Sequence, residues 1–232
     1  GTDLLARLTD DDALYEGGKA AALQLPTFLG NHDAGRFAFF LRKAKPAMSL
    51  QEELARMMLG HAMLLTLRGV PTIYYGDEQG FVGDGNDQLA REDMFPSQTA
   101  VYNDNDLIGT DATTAVSNFD ENHPLFRLIS EFSTIRKAHP ALTRGRQVVR
   151  HYEQEPGIFA VSRFDPETGT EYLAAFNTTQ AERSANIVVG YEARSFETLA
   201  GDCPATVATP GSAAVTLPAF GWAVCRVSEV AE

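Results

Sequence analysis

An α/β segment over residues 1–142, followed by an all-β segment over 143–232 built as an antiparallel β-sandwich, is the fold the sequence predicts. Three observations predict it. Long segments of helical period give way near residue 143 to short alternating runs separated by Gly, Pro, Asp and Asn. Before that point, brief apolar runs alternate with longer amphipathic ones in the order strand, helix, strand, helix. After it, several short strands fall within about ninety residues, the density of a sandwich.

The first brief run is Leu25-Pro26-Thr27-Phe28-Leu29-Gly30, too short for a helix and suited to a strand buried on both faces. Ser49-Leu50-Gln51-Glu52 then reads as a capping box, and Leu50, Leu54, Met57, Met58, Leu64 and Leu65 follow at roughly helical spacing. Gly69 supplies the stop. A second strand is predicted over Val70 to Gly76, where Tyr74 and Tyr75 would alternate, one ring into packing and one toward a cleft. A second helix is predicted from Pro124 to Ala138, with Leu125, Leu128, Ile129, Phe132 and Ile135 on one face and Pro140 closing it. Beyond 143, strands are predicted at Val148 to Tyr152, Ile158 to Phe164, Tyr172 to Phe176, Ile187 to Val189, Ala214 to Leu217 and Trp222 to Val227, with a turn at Asp165 to Gly169. Trp222 and Phe220 read as sandwich core.

Composition narrows the function. Hydrophobic residues at 44% and charged residues at 22% exclude a disordered or collagen-like chain. A net charge of −12 argues against nucleic acid, whose binding rests on Lys and Arg displacing counterions. No apolar run approaches the ~18–20 residues of a membrane span, so no membrane partner is expected. The chain opens Gly1-Thr2-Asp3, without Met or an apolar signal core, and reads as cut at its start. Cys203 and Cys225 match no metal or redox spacing; one disulfide and two buried thiols both fit them.

Right-handed βα units carry their functional residues at the carboxyl ends of the strands. Polar residues gather at both such positions: Asn31-His32-Asp33 after the first predicted strand and Asp77-Glu78 after the second. The string Phe28-Leu29-Gly30-Asn31-His32-Asp33 resembles the fourth short motif of the α-amylase family, glycoside hydrolase family 13. Gly69-Val70-Pro71-Thr72-Ile73-Tyr74-Tyr75-Gly76-Asp77-Glu78 resembles the same family's barrel-closing strand motif. The resemblance covers about residues 20 to 140. It implies a partial (β/α)8 TIM barrel, its seventh and eighth units, followed by the family's small terminal sandwich.

The resemblance also implies roles. Asp33 corresponds to the carboxylate that stabilises the oxocarbenium-like transition state, and His32 to the histidine that binds hydroxyls of the sugar at the cleavage point. Asn31, Arg36, Tyr75, Asp77 and Glu78 fall at or near the cleft rim, and Arg91-Glu92-Asp93-Met94-Phe95-Pro96, with Arg91 as the expected contact, in a loop that resembles substrate-lining loops. The implied substrate is an α-glucan or malto-oligosaccharide, the implied partner the missing N-terminal part of the barrel, and a secreted or periplasmic location is compatible. The family's nucleophilic Asp and acid Glu lie in upstream motifs absent from this sequence, so the chain alone is expected to be inactive.

Two local features and two rival functions complete the reading. Asp120-Glu121-Asn122-His123 immediately precedes a helix and reads as its N-terminal cap. Asp84 to Asp111 holds seven acidic residues and one basic, Arg91. Its oxygen donors offer calcium ligands, but their spacing departs from the twelve-residue calcium loop, and the segment reads as a solvated loop over the cleft. The rivals are a non-catalytic, α-amylase-like binding or scaffold protein, and a metal-dependent hydrolase using His32, Asp33, Asp77 and Glu78.

Overall fold

The computed structural model describes residues 1–10, 12–204, 207 and 209–229. In chain order its elements are α1 (Asp3–Thr9), α2 (Gly18–Ala22), β1 (Pro26–Thr27), α3 (Phe37–Ala44), α4 (Leu50–Thr66), β2 (Val70–Pro71), α5 (Pro124–Ala138) and α6 (Pro140–Arg144), then seven strands. These are β3 (Arg146–His151), β4 (Ile158–Phe164), β5 (Glu171–Asn177), β6 (Arg183–Val188), β7 (Ser195–Gly201), β8 (Ser212–Leu217) and β9 (Trp222–Ser228). Two compact units divide the chain: a β-rich one of Gly1–Leu25, Leu65–Val70 and Phe132–Glu232, and a helical one of Pro26–Leu64 and Pro71–Glu131. That division differs from a single cut after residue 142. The reason is local: Asp3 N donates to Glu153 O at 3.0 Å, and Glu153 N donates to Thr2 Oγ1 at 2.7 Å, which fastens the first residues to the strand segment.

In the β-rich unit, β3, β4, β5, β9 and β7 pair antiparallel in that order, and β6 pairs with β8. One core draws on both sheets: Ile158, Leu173, Ala175 and Cys225 come from the larger, Ile187, Val215 and Leu217 from the smaller. β4 has the predicted bounds. β7 was not predicted, because Glu197 and Thr198 sit together on it and a bulge between Thr198 and Ala200 breaks the alternation of faces. Trp222 packs edge-on against Phe132, ring centroids 5.9 Å apart, and Phe220 is buried.

Cys203 and Cys225 are joined in a disulfide, Cα atoms 5.9 Å apart, so of the two readings the pair is the one realised. It closes a loop of 22 residues' separation onto a fully buried strand position. Reduction is therefore expected to cost about 3 kcal/mol of stability, chiefly by freeing the unfolded chain. Thermal melts with and without a thiol reductant check this; coincident melts would contradict it.

The end of α4 shows how the same unit satisfies a helix terminus whose last carbonyls have no intrahelical partner. Arg136 donates to Leu65 O at 3.0 Å and Gly69 O at 2.6 Å, and Arg163 donates to Thr66 O at 2.6 Å. Burial, with Arg136 and Arg68 nearby, pulls the Arg163 guanidinium down to about 9. Arg68 is paired with Asp12 at 2.6 Å.

In the helical unit, Ala38, Met57, Val82, Ile108 and Leu125 form the core. Ser49 caps α4 as predicted, its Oγ accepting from Glu52 N at 3.2 Å. Glu52 contributes its carboxylate instead to Lys45 and Arg56, each at 2.8 Å. The predicted strand runs shrink to two residues each. Val70 N donates to Leu25 O and Thr72 N to Thr27 O, so the two strands advance in parallel. Pro26 lies between Leu25 and Thr27 and Pro71 between Val70 and Thr72, so the missing N–H of each faces away from the partner strand. Nor is the first run buried on both faces: Pro26 and Phe28 are exposed while Leu29 is half-buried. Tyr74 and Tyr75 lie beyond β2, so strand alternation does not govern them.

α5 starts and stops where expected, but Pro140 opens α6 rather than closing the chain's helical stretch. The cap reading of Asp120 to His123 takes a specific form. His123 Nδ1 accepts from Leu125 N at 3.2 Å while Nε2 donates to Ile108 O at 2.9 Å, an arrangement only the neutral ring can make. Burial accordingly pushes His123 below its ordinary 6.5. The unfolded chain takes up this proton more readily than the folded one. The stabilisation is thus complete above about pH 6.5 and is lost as pH falls below it. Denaturant midpoints measured from neutral pH down to about pH 5 should fall less steeply in His123→Gln than in the parent; equal slopes would contradict this.

No helix among the described residues is long and apolar enough to cross a membrane.

Candidate active site

Asn31, His32 and Asp33 follow β1 directly, within the helical unit. The segment is closed on itself: Asn31 N donates to Gly35 O at 3.1 Å and Gly35 N to Asn31 O at 3.0 Å. Asn31 Oδ1 accepts from the backbone N–H of Asp33 at 2.9 Å and of Ala34 at 2.7 Å. Asn31 is therefore the turn's internal brace. Gly35 has φ +102°, and a Cβ there would stand 2.8 Å from Gly85 O, so the loop closes only with glycine at that point.

What the turn presents is open. The Asp33 side chain is 72% exposed and that of His32 58%, with His32 Nε2 3.3 Å from Asp33 Oδ2. Arg91 Nη2 stands 3.7 Å from Asp33 Oδ1 and 2.6 Å from Asp87 Oδ1. Exposed pairs of this kind are worth about 0–1 kcal/mol, so a polar ligand can displace them at little cost. The Tyr74 ring lies 6.5 Å from that of His32, and its hydroxyl donates to Ala90 O at 3.1 Å. Tyr75 packs edge-on against Tyr74 at 4.7 Å and keeps part of its ring in solvent. Burial of the rest and the Tyr74 hydroxyl push its phenol above the ordinary range.

Behind this surface is a buried ionic cluster. Arg36 and Asp77, expected at a cleft rim, are both buried and face each other, Nη1 to Oδ1 at 3.2 Å. Arg36 Nε lies 2.6 Å from Glu92 Oε2, and neither of these side chains is exposed at all. Arg36 also donates to Tyr75 O at 2.8 Å. Its guanidinium lies over the rings of Tyr74, Tyr75 and Phe81 at 4.5, 5.2 and 5.1 Å. His61 contributes from α4: Nδ1 meets Met57 O at 2.8 Å and so donates, and Nε2 is 3.7 Å from Asp77 Oδ2. Burial pushes the Glu92 carboxyl up against the opposing pull of Arg36.

Glu78 is held by its own turn, accepting from Gly76 N at 2.9 Å; burial pushes its carboxyl up too. Gly76 has φ +86°, and a Cβ would meet the Phe81 ring at 2.5 Å. The structure thus brings His32, Asp33 and Arg91 together in solvent, leaves Asn31 half-buried as the brace and Tyr75 exposed beside Tyr74, and withdraws Arg36 and Asp77 into the interior. His61 and Phe81 carry no signal in the sequence, and Glu92, which falls in the Arg91–Pro96 segment expected to line the substrate, turns its carboxylate inward.

Among the described residues, no group of three or more His, Cys, Asp or Glu side chains converges as metal ligands would. His32, Asp33, Asp77 and Glu78 do not form such a set. In the acidic loop, Asp84 accepts from Asn105 at 2.8 Å and Asp87 pairs with Arg91.

The sequence matches the family described as alpha amylase, catalytic domain, over residues 18–145. An alpha-amylase of Streptomyces lividans is 43% identical over 226 residues, which span 94% of this chain and 25% of that protein. A beta/alpha-amylase of Paenibacillus polymyxa is 31% identical over 59% of the chain and 9% of its own length. The chain thus spans about a quarter or less of these relatives. Among solved structures, an Anoxybacillus alpha-amylase superposes with a TM-score of 0.71 at 20% identity, over 99% of this chain and 42% of the other. A Nostoc punctiforme debranching enzyme soaked with acarbose gives 0.66 at 21%, over 97% and 38%. With more than half its length matched to the catalytic domain, the chain belongs to the alpha-amylase family.

Proposed function

We propose that this chain supplies part of the sugar-binding and transition-state-stabilising machinery of a retaining α-glycosidase acting on α-glucosidic bonds of starch-like or malto-oligosaccharide substrates. The observation that carries the reading is the braced turn that holds out His32 and Asp33 beyond a short parallel strand pair. Relatives named for amylase activity, and similar structures described with maltose, maltotriose or acarbose, support the substrate class.

Retaining glycosidases use a nucleophilic carboxylate and a proton-donating acid about 5–5.5 Å apart. A third carboxylate helps only if its hydrogen bonds to the sugar strengthen as positive charge develops in the ring. Asp33 suits that role, because its oxygens face solvent and its present partners are weakly held. His32 suits hydrogen bonding to a hydroxyl beside it. Tyr75 and Arg91 flank them as contacts, while Glu78 braces the second turn and Arg36 and Asp77 act from below.

On this reading residues 1–142 belong to the seventh and eighth units of a (β/α)8 barrel and 143–232 to a terminal sandwich. Exposed Phe28 and the two-residue strands, which pair with no further strand among the described residues, support a partner in the rest of the barrel. The disulfide supports an oxidising, secreted or periplasmic compartment. Nucleophile and acid are not among these residues. The purified 232-residue chain is therefore expected to release no chromophore from a chromogenic malto-oligosaccharide. Turnover by that chain would overturn the reading.

A further inference from the structure

Glu92 sits one residue from a candidate sugar contact, yet its side chain is wholly buried and points the other way. We infer that Glu92 is a positioning residue: with Asp77 it clamps Arg36, and through Arg36 it holds the His32–Asp33 turn in register with the Tyr74–Tyr75 pair. The inference rests on the reading that this turn faces the sugar.

Three stretches of chain meet at one guanidinium. Arg36 ends the turn itself, three residues after Asp33. Asp77 and Tyr75 belong to the segment after β2, which Arg36 grips by a carboxylate at 3.2 Å and a carbonyl at 2.8 Å. Glu92 belongs to the following loop and meets Arg36 Nε at 2.6 Å. That loop returns to the turn a second time, where Asp87 N donates to Asp33 O at 3.4 Å. Aromatic rings at three positions also pack against the guanidinium, so it is enclosed by rings as well as by its two carboxylate partners.

An ion pair buried this deeply is costly to form and more costly to break singly, which makes it a precise holder of geometry rather than a source of stability. Exposed pairs such as Arg91 with Asp87 cannot serve in this way, since their side chains move freely in solvent.

The test is amide hydrogen exchange on the full 232-residue chain, comparing the parent with Glu92→Ala and Glu92→Gln. If Glu92 acts through Arg36, Glu92→Ala speeds exchange at Asn31, Gly35 and Asp77 by about tenfold or more, while the β4–β5 amides stay unchanged. Glu92→Gln, which keeps the shape and loses the charge, gives a smaller acceleration at the same amides. If Glu92→Ala does not fold, the Gln variant is decisive alone. Acceleration confined to residues 83–92, or a Gln variant indistinguishable from the parent at Asn31, Gly35 and Asp77, would overturn the proposal. Because exchange needs no sugar, the clamp stands or falls separately from the glycosidase reading, which an inert Asp33→Asn substitution would sink.

Discussion

Arg36→Met is expected to lose about 3–5 kcal/mol of folding stability, far more than loss of any surface charge in the chain. The substitution leaves Asp77 and Glu92 buried without a cation, and two carboxylates cannot both stay ionised there. It also removes the donor to Tyr75 O and the cation from three aromatic rings. Uncompensated charge, rather than missing volume, carries most of the loss. A triple variant combining Arg36→Met with Asp77→Asn and Glu92→Gln should therefore recover much of it. Denaturant midpoints of parent, single and triple variants check this. A single variant with an unchanged midpoint, or a triple variant worse than the single, would contradict the account. Arg91→Ala, whose pairs are exposed, should shift the midpoint by less than about 1 kcal/mol.

How far the sequence revealed the site depends on what each residue's type announces. Asn31-His32-Asp33 was legible because the chemistry sits in adjacent positions after an apolar run, and the local hydrogen bonds that brace it are made within five residues. α4 and α5 were legible for the same reason: cap, periodicity and stop are all local. Strand β4 was found to the residue because all but its last position is buried and the run is uniformly apolar around Ser162 and Arg163.

The buried cluster was not legible, because Arg, Asp and Glu are read as surface residues unless something pairs them. Here the pairing joins positions 41 residues apart, Arg36 with Asp77, and only the folded chain brings Glu92 to the same point. The aromatics Tyr74, Tyr75 and Phe81 surround Arg36 only in the folded chain. Strand length was over-read at Leu25 to Gly30 and Val70 to Gly76. Apolar character does not by itself make a ladder, and the pairing between these runs extends over two residues of each. The disulfide was undecidable from spacing, since Cys203 and Cys225 meet only because the chain returns along β9. The division into units was hidden because Thr2 and Gln147 tie the first residues to a distant part of the chain, with Glu153 N donating to Thr2 Oγ1 at 2.7 Å and Gln147 Nε2 donating to Thr9 O at 3.3 Å.

These differences change the roles assigned to the motif. Of the residues that the family resemblance pointed to, His32, Asp33 and Arg91 are exposed, whereas Arg36 and Asp77 are buried beneath the surface. A scaffold would need the buried ones alone. On the proposed function, the exposed Asp33 carboxylate has its use when positive charge develops opposite it.

That use is what Asp33→Asn tests, in a natural form of the protein that also carries the nucleophile and acid motifs. Asparagine keeps the size of the side chain and one acceptor oxygen but has no negative charge to meet the oxocarbenium-like ring. Folding should be undisturbed, since the pairs that Asp33 makes with His32 and Arg91 are exposed and weak. The rate of hydrolysis of a malto-oligosaccharide should fall, with kcat reduced about 10²–10³-fold, or about 2.7–4 kcal/mol, and KM changed much less. A variant that keeps the parent's kcat, in a protein that folds and binds as before, would contradict the account.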